Sequence, residues 1–79
     1  MAVHIKLSTT LRDHVPGYDA ARGLLLEVGQ PESVAQIALK LGLPSREITI
    51  VMLNGIRVSM ESMVSDGDRV AFFPAVGGG

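Results

Sequence analysis

Apolar and polar residues alternate strictly near the start of the chain. In "VHIKLST", Val3, Ile5 and Leu7 fall on one side and His4, Lys6 and Ser8 on the other. A period of two predicts a strand with one face buried. The next stretch, "TTLRDHVPGYDA" at 9–20, has no period and contains Pro16, Gly17 and Asp19, which predicts a long irregular connection. "RGLLLEV" at 22–28 predicts a second strand, ended by Gly29 and Pro31.

The period then changes. Val34, Ile37, Ala38 and Leu41 recur at helical spacing and predict a helix over 34–41. Ser33 and Gln36 form a capping box, in which each side chain satisfies a free N–H of the first turn. Gly42 suits the left-handed position after the helix, Pro44 prevents its resumption, and Lys40 suits the negative end of the helix dipole.

"EITIVMLNGIRVS" predicts a long strand, a tight turn at Asn54-Gly55 and a short strand. Both parities of "ITIVML" are largely apolar. With Ile48, Ile50 and Met52 turned to the helix, Val51 and Leu53 stand with Thr49 on the opposite side. "SMESMVSDGDR" is irregular, with Asp66-Gly67-Asp68 a turn rather than a metal site and Met60 and Met63 filling the core. "RVAFF" is the last strand: Val70 and Phe72 share one face, Arg69, Ala71 and Phe73 the other. The order β-β-α-β-β-β predicts a two-layer α+β domain over 1–79, one helix packed on one face of a mixed sheet, with a tail from about 74 to 79.

One helix covers one face of a sheet. Val51, Leu53, Ala71 and Phe73 then form an apolar patch on the uncovered face, and such patches mark protein interfaces. Phe73, Pro74, Val76 and Gly77 extend that candidate docking surface into the tail. The alternative is that the 9–20 connection folds over the patch. Arg57 and Arg69 are candidates for steering an acidic partner surface, against the default of solvated charge. His4 and His14 have no carboxylate or serine at a spacing that points to acid–base or metal chemistry.

Composition narrows the class. A chain of 79 residues, 47% hydrophobic, fits a small folded domain. It has no cysteine, so neither disulfides nor a thiolate metal site supplements its core. The net charge of −1, with scattered Lys and Arg, argues against nucleic-acid binding. No apolar run approaches the roughly 18–20 residues that span a bilayer, and the start lacks a signal peptide's apolar segment. A soluble, cytoplasmic protein is expected.

The chain ends "FFPAVGGG". Gly77, Gly78 and Gly79 carry no Cβ, so their backbone is thin enough to thread a narrow cleft. The terminal carboxylate is ionised at cellular pH and can attack the α-phosphate of ATP held by a second protein. The mixed anhydride can then be captured by sulfur or by an amine. Taken alone, a glycine run is as readily an inert terminus.

"LNG" together with "DGDRVAFFPAVGGG" closely resembles the ThiS/MoaD family of ubiquitin-like sulfur carriers, and "SVAQIALKLGLPSREITIVMLNG" is similar to the same family. The likeness covers about 23–79. It implies a β-grasp fold and a carrier that is not itself an enzyme. By the resemblance, Gly79 is adenylated by a ubiquitin-activating-like adenylyltransferase and converted to a thiocarboxylate, with Gly78 as the required penultimate glycine. ATP and the sulfur donor belong to that partner; the chain itself binds no cofactor or metal, and no phosphate-binding loop is present. "AFFP" resembles the small subunit of molybdopterin synthase more than the thiamin-pathway carrier, which implies the large synthase subunit, or an equivalent acceptor enzyme, as sulfur recipient. Ala75 stands where the family commonly has a second proline, and Gly77 where it often has alanine. The alternatives are a carrier for thiamin or sulfur-amino-acid synthesis, a modifier joined to lysines, and an interaction module with an inert tail.

Overall fold

Strand, turn and helix signals lie in the computed structural model close to where the pattern sets them; residues 1–75 are described. β1 (Ala2–Leu7) and β2 (Leu24–Glu27) precede a two-residue β3 (Glu32–Ser33) and the helix α1 (Val34–Leu41). β4 (Ile48–Leu53), β5 (Ile56–Val58), a two-residue β6 (Met63–Val64) and β7 (Arg69–Pro74) follow. The main sheet has the order β2-β1-β7-β4-β5; β1 and β7 run parallel at its centre and every other neighbour is antiparallel. β3 and β6 form a separate small ladder beside the start of α1. The expectations for Val76, Gly77, Gly78 and Gly79 fall outside the described residues.

The helix forms for the local reasons read above. Ser33 Oγ accepts from the Gln36 N–H at 3.1 Å, and Gln36 Oε1 accepts from the Ser33 N–H at 2.9 Å. Gly42 closes the helix at φ 75°, donating to the carbonyls of Ala38 and Leu39. Val34, Ile37 and Ala38 are buried against Val3, Ile5, Leu7, Val70 and Phe72 from the sheet. The Asn54-Gly55 turn has φ of 52° and 83°, the paired positive values of the predicted hairpin turn.

Three expectations are corrected. β2 is shorter than the 22–28 read from sequence. The 9–20 connection is not wholly irregular: Thr9–His14 form a 3-10 helix whose Leu11 is fully buried in the core. Met63 is 57% exposed, so only Met60 of the two methionines packs against the core.

The larger correction concerns β4. Ile48 lies opposite Pro74 and packs against the core, as expected, but Ile50 lies opposite Phe73 and the register shifts between them. That bulge inserts one residue and inverts the phase of everything after it. Val51 therefore faces Phe72 in the core, only 4% exposed, and Leu53 packs against the same core opposite Val70. Ile50 and Met52, expected beneath the helix, stand instead on the uncovered face opposite Phe73 and Ala71.

Candidate functional site

Three stretches converge where β7 ends. Ser8, Thr9 and Thr10 follow β1, Ile50 comes from β4, and Phe73, Pro74 and Ala75 are the last described residues; Pro74 still belongs to β7, a correction to the tail expected from about 74. Together they line an open cleft of about 650 Å³. Its floor is apolar and one wall carries hydroxyls. The wall is held in place from both sides. The Ser8 N–H donates to the Phe72 carbonyl at 3.2 Å. β2 pairs with β1 only as far as Ile5, so the outward N–H and C=O of Leu7 need other partners. The Leu7 N–H donates to the Tyr18 hydroxyl at 2.8 Å, and Arg12 Nε donates to the Leu7 carbonyl at 2.9 Å. The connection after β1 thus seals a bare strand edge and borders the apolar patch without covering it.

A second hollow, about 310 Å³, continues from the same phenylalanine across the open face. His4, Lys6, Met52, Arg69, Ala71 and Phe73 line it. Ala71, Phe73 and Pro74, predicted as docking residues, are thereby brought together at half-buried positions. Val51 and Leu53 are not, because the bulge sends them into the core. Ile50 and Met52 take their place. Their apolar character was visible, but the phase that exposes them depends on a pairing irregularity with no local signature.

Arg57 and Arg69 are exposed, whereas the histidines and the aspartates of the 66–68 turn have structural partners. His4 Nε2 lies 2.9 Å from the Arg22 carbonyl, and His14 Nε2 lies 2.8 Å from Glu47 Oε1, joining the 3-10 helix to the turn before β4. Asp66 Oδ1 accepts from the Ala2 N–H at 2.8 Å. Asp68 accepts from the Ser65 N–H at 2.8 Å and from Asn54 Nδ2 at 3.0 Å, and these two donors, the backbone one first, hold its carboxyl below the usual 3.8. Asn54 Oδ1 in turn accepts from the Arg69 N–H at 2.9 Å. This network ties two turns together at the end of β7 away from the tail. Among the described residues no group of three or more His, Cys, Asp or Glu could hold a metal ion. No helix there is long and apolar enough to cross a membrane.

A mixed five-stranded sheet with a parallel central pair and one helix on one face, its last strand central and leading into the tail, defines a ubiquitin-like β-grasp domain. The chain matches the ThiS family over residues 5–79 and belongs to it. Among solved structures it is similar to a Haloferax volcanii protein known in solution, with 27% identity, a TM-score of 0.74, and coverage of 100% of this chain and 87% of that one. It is also similar to small archaeal modifier protein 1 of Haloferax volcanii, with 22% identity, a TM-score of 0.71, and coverage of 95% and 98%. A third likeness is to the complex of subunits 1 and 2 of molybdopterin-converting factor from Helicobacter pylori, with 17% identity, a TM-score of 0.61, and full coverage of both chains. No curated protein matches the chain.

Proposed function

We propose that this chain carries sulfur as a C-terminal thiocarboxylate. A carboxylate oxygen of Gly79 attacks the α-phosphorus of ATP on a ubiquitin-activating-like adenylyltransferase, and pyrophosphate leaves. A sulfide-level nucleophile from the partner's sulfur donor then attacks the acyl carbon, and AMP leaves. Gly78 and Gly77 let the end of the chain enter that active site without a side chain to obstruct the attack. The chain is a co-substrate, and ATP is bound by the partner. The recipient that best fits the wording of the last strand is the large subunit of molybdopterin synthase or an equivalent acceptor, in molybdenum or tungsten cofactor synthesis.

One observation carries this reading: Phe73 faces outward beside Ile50, and from it the chain passes directly through Pro74 and Ala75 toward the tail. A partner gripping that face holds the segment that leads to Gly79. Membership of the ThiS family supports the chemistry, and the likeness to the Helicobacter pylori complex supports a protein acceptor. The likeness to a small archaeal modifier protein favours a second reading, transfer of the same activated carbonyl to a lysine amine.

The deciding experiment is the intact mass of the chain after incubation with ATP, a sulfur source and extract of its own cells. Replacement of one oxygen by sulfur, mapped to Gly79, is expected. Deleting Gly79, or adding one residue after it, abolishes the change and leaves thermal unfolding unaltered. An unchanged mass in an extract that demonstrably activates another carrier would overturn the proposal. Larger lysine-linked adducts in place of the sulfur exchange would favour the modifier.

A further inference from the structure

The main sheet ends in two edges, and they are not equally finished. β5 closes a two-residue turn with Ile56 opposite Leu53, so the alternation of an antiparallel ladder leaves Arg57 as its one residue with outward backbone groups. β2 offers more. The Val28 N–H donates to the Met1 carbonyl at 2.8 Å, and the Met1 ammonium donates to the Val28 carbonyl at 3.0 Å, which fixes the phase of that ladder. Leu24 and Leu26 then turn their backbone groups to β1, and Leu25 and Glu27 turn theirs outward. The facing residues agree, since the Ala2 N–H donates to Asp66 and the His4 N–H to the Asp68 carbonyl, both away from β2. No second strand flanks β2, so the N–H and C=O of Leu25 and Glu27 have no partner among the described residues. Neither proline nor lysine guards this edge, and Leu25 is 65% exposed on it. The bare run is bounded at both ends. At Gly23 the Asp19 carbonyl takes the N–H at 2.7 Å and fills the outer side, and after Val28 the chain bends at Gly29 and Gln30. Residues 24–28 remain, with Leu26 at their centre.

We propose that this edge pairs with the same edge of a second copy of the chain, antiparallel, about a two-fold axis that passes through Leu26 perpendicular to the sheet. The bare groups select this register. Leu25 of each copy lies opposite Glu27 of the other, and each such pair exchanges both of its N–H···O=C bonds. Every unpartnered backbone group of the run is then satisfied. The side chains agree. Opposite residues of an antiparallel pair share a face, and Leu25 and Glu27 both lie on the open face, beside His4 and Ala2. Each Glu27 meets a leucine and not the other Glu27. Leu26, opposite Val3 on the covered face, meets Leu26 of the second copy and extends the core across the axis. An axis through Leu25 would drive Glu27 against the Asp19 turn, and one through Glu27 would oppose two carboxylates. β5 is no rival, because a single outward residue makes no ladder. An edge that complements itself in this way is what a closed two-fold dimer requires. The ladder is short, so the pairing is weak and transient. β7 lies two places in from β2 and the axis reverses every strand, so the two copies of β7 end on opposite sides of the joined sheet, clear of the contact. The pairing holds whether or not the chain carries sulfur.

The test is sedimentation equilibrium of the full chain up to millimolar concentration, with amide hydrogen exchange followed residue by residue. Expected are a reversible monomer–dimer equilibrium and exchange at Leu25 and Glu27 that slows severalfold from dilute to concentrated chain. Leu26, whose N–H already faces β1, changes little. Three substitutions at the exposed Leu25 read the register. Leu25→Lys sets an ammonium opposite Glu27 of the other copy, Leu25→Glu sets a carboxylate there, and Leu25→Gln is the neutral reference. Against that reference the first should dimerise about three- to tenfold more tightly and the second more weakly by a similar factor, both differences shrinking with salt. A chain that stays monomeric at the highest concentration overturns the proposal. So does weaker dimerisation of both charged variants than of the neutral one, because like groups would then face each other. Exchange that slows at these amides only when cell extract is added would assign the edge to another protein's strand and overturn the proposal as well.

Discussion

On its covered face the sheet presents Val3, Ile5, Leu7, Val51, Val70 and Phe72, all buried beneath α1 and the residues around it. On its open face the same strands present Ile50, Met52, Ala71 and Phe73, half-buried and bordered by Lys6, Arg57 and Arg69. The aliphatic and aromatic content of the two central rows is similar. The difference is the charge at their margins. Apolar residues with no cation among them hold the domain together, whereas apolar residues ringed by cations keep a solvated border.

The comparison is broken most severely by exchanging the faces' roles at neighbouring positions. Val51→Asp places an unpaired carboxylate in the core and should cost about 3–5 kcal/mol, unfolding much of so small a domain. Met52→Asp, one residue on, should change stability by less than about 1 kcal/mol while weakening association with the proposed activating partner. Chemical denaturation and a binding titration on both variants check this; equal destabilisation would contradict the register of β4. The two phenylalanines sharpen the same contrast. Phe72→Ala should lose about 3–5 kcal/mol by leaving a cavity. Phe73→Ala should keep most of its stability and lose about tenfold or more in partner affinity.

Smaller effects probe the frame around the faces. Ser33→Ala removes one half of the capping box and should cost about 1 kcal/mol in a urea melt, with no effect on docking. The least effect belongs to Asp68. Its folded-state carboxyl lies below 3.8, so it adds stability that is complete above the unfolded value and lost as pH falls through the lower folded one. Asp68→Asn should therefore be less stable than wild type near neutrality, and that difference should shrink below about pH 4. A constant gap between the two melting curves down to pH 2 would show that the lost contacts act without the charge.

Local signals in the sequence specify the structure where it depends on neighbours in the chain. The helix at 34–41, its Ser33–Gln36 box and the Asn54-Gly55 turn need only a few adjacent residues to specify them. β7 was also assigned to the right faces, since Val70, Phe72 and Arg69 leave one plausible phase. β4 was not. "ITIVML" is apolar on both parities, and an inserted residue in a ladder leaves no mark on a single strand. The short β3–β6 ladder was equally hidden, because two-residue strands have no period to detect.

From its residues alone this chain specifies the class of fold, the position of the helix and turns, and the final strand running into glycine, because propensity, capping and turn geometry act over a few residues. Tertiary pairing decides which of two apolar sets in β4 becomes core. Ile48 must lie opposite Pro74 and Val51 opposite Phe72, and only a bulge satisfies both. That choice buries Val51, packs the half-buried Leu53 against the core, turns Ile50 and Met52 to the open face beside Phe73, and sets Lys6 and Arg57 on either side of them. Strands distant in sequence settle these positions together, by filling one core at close packing.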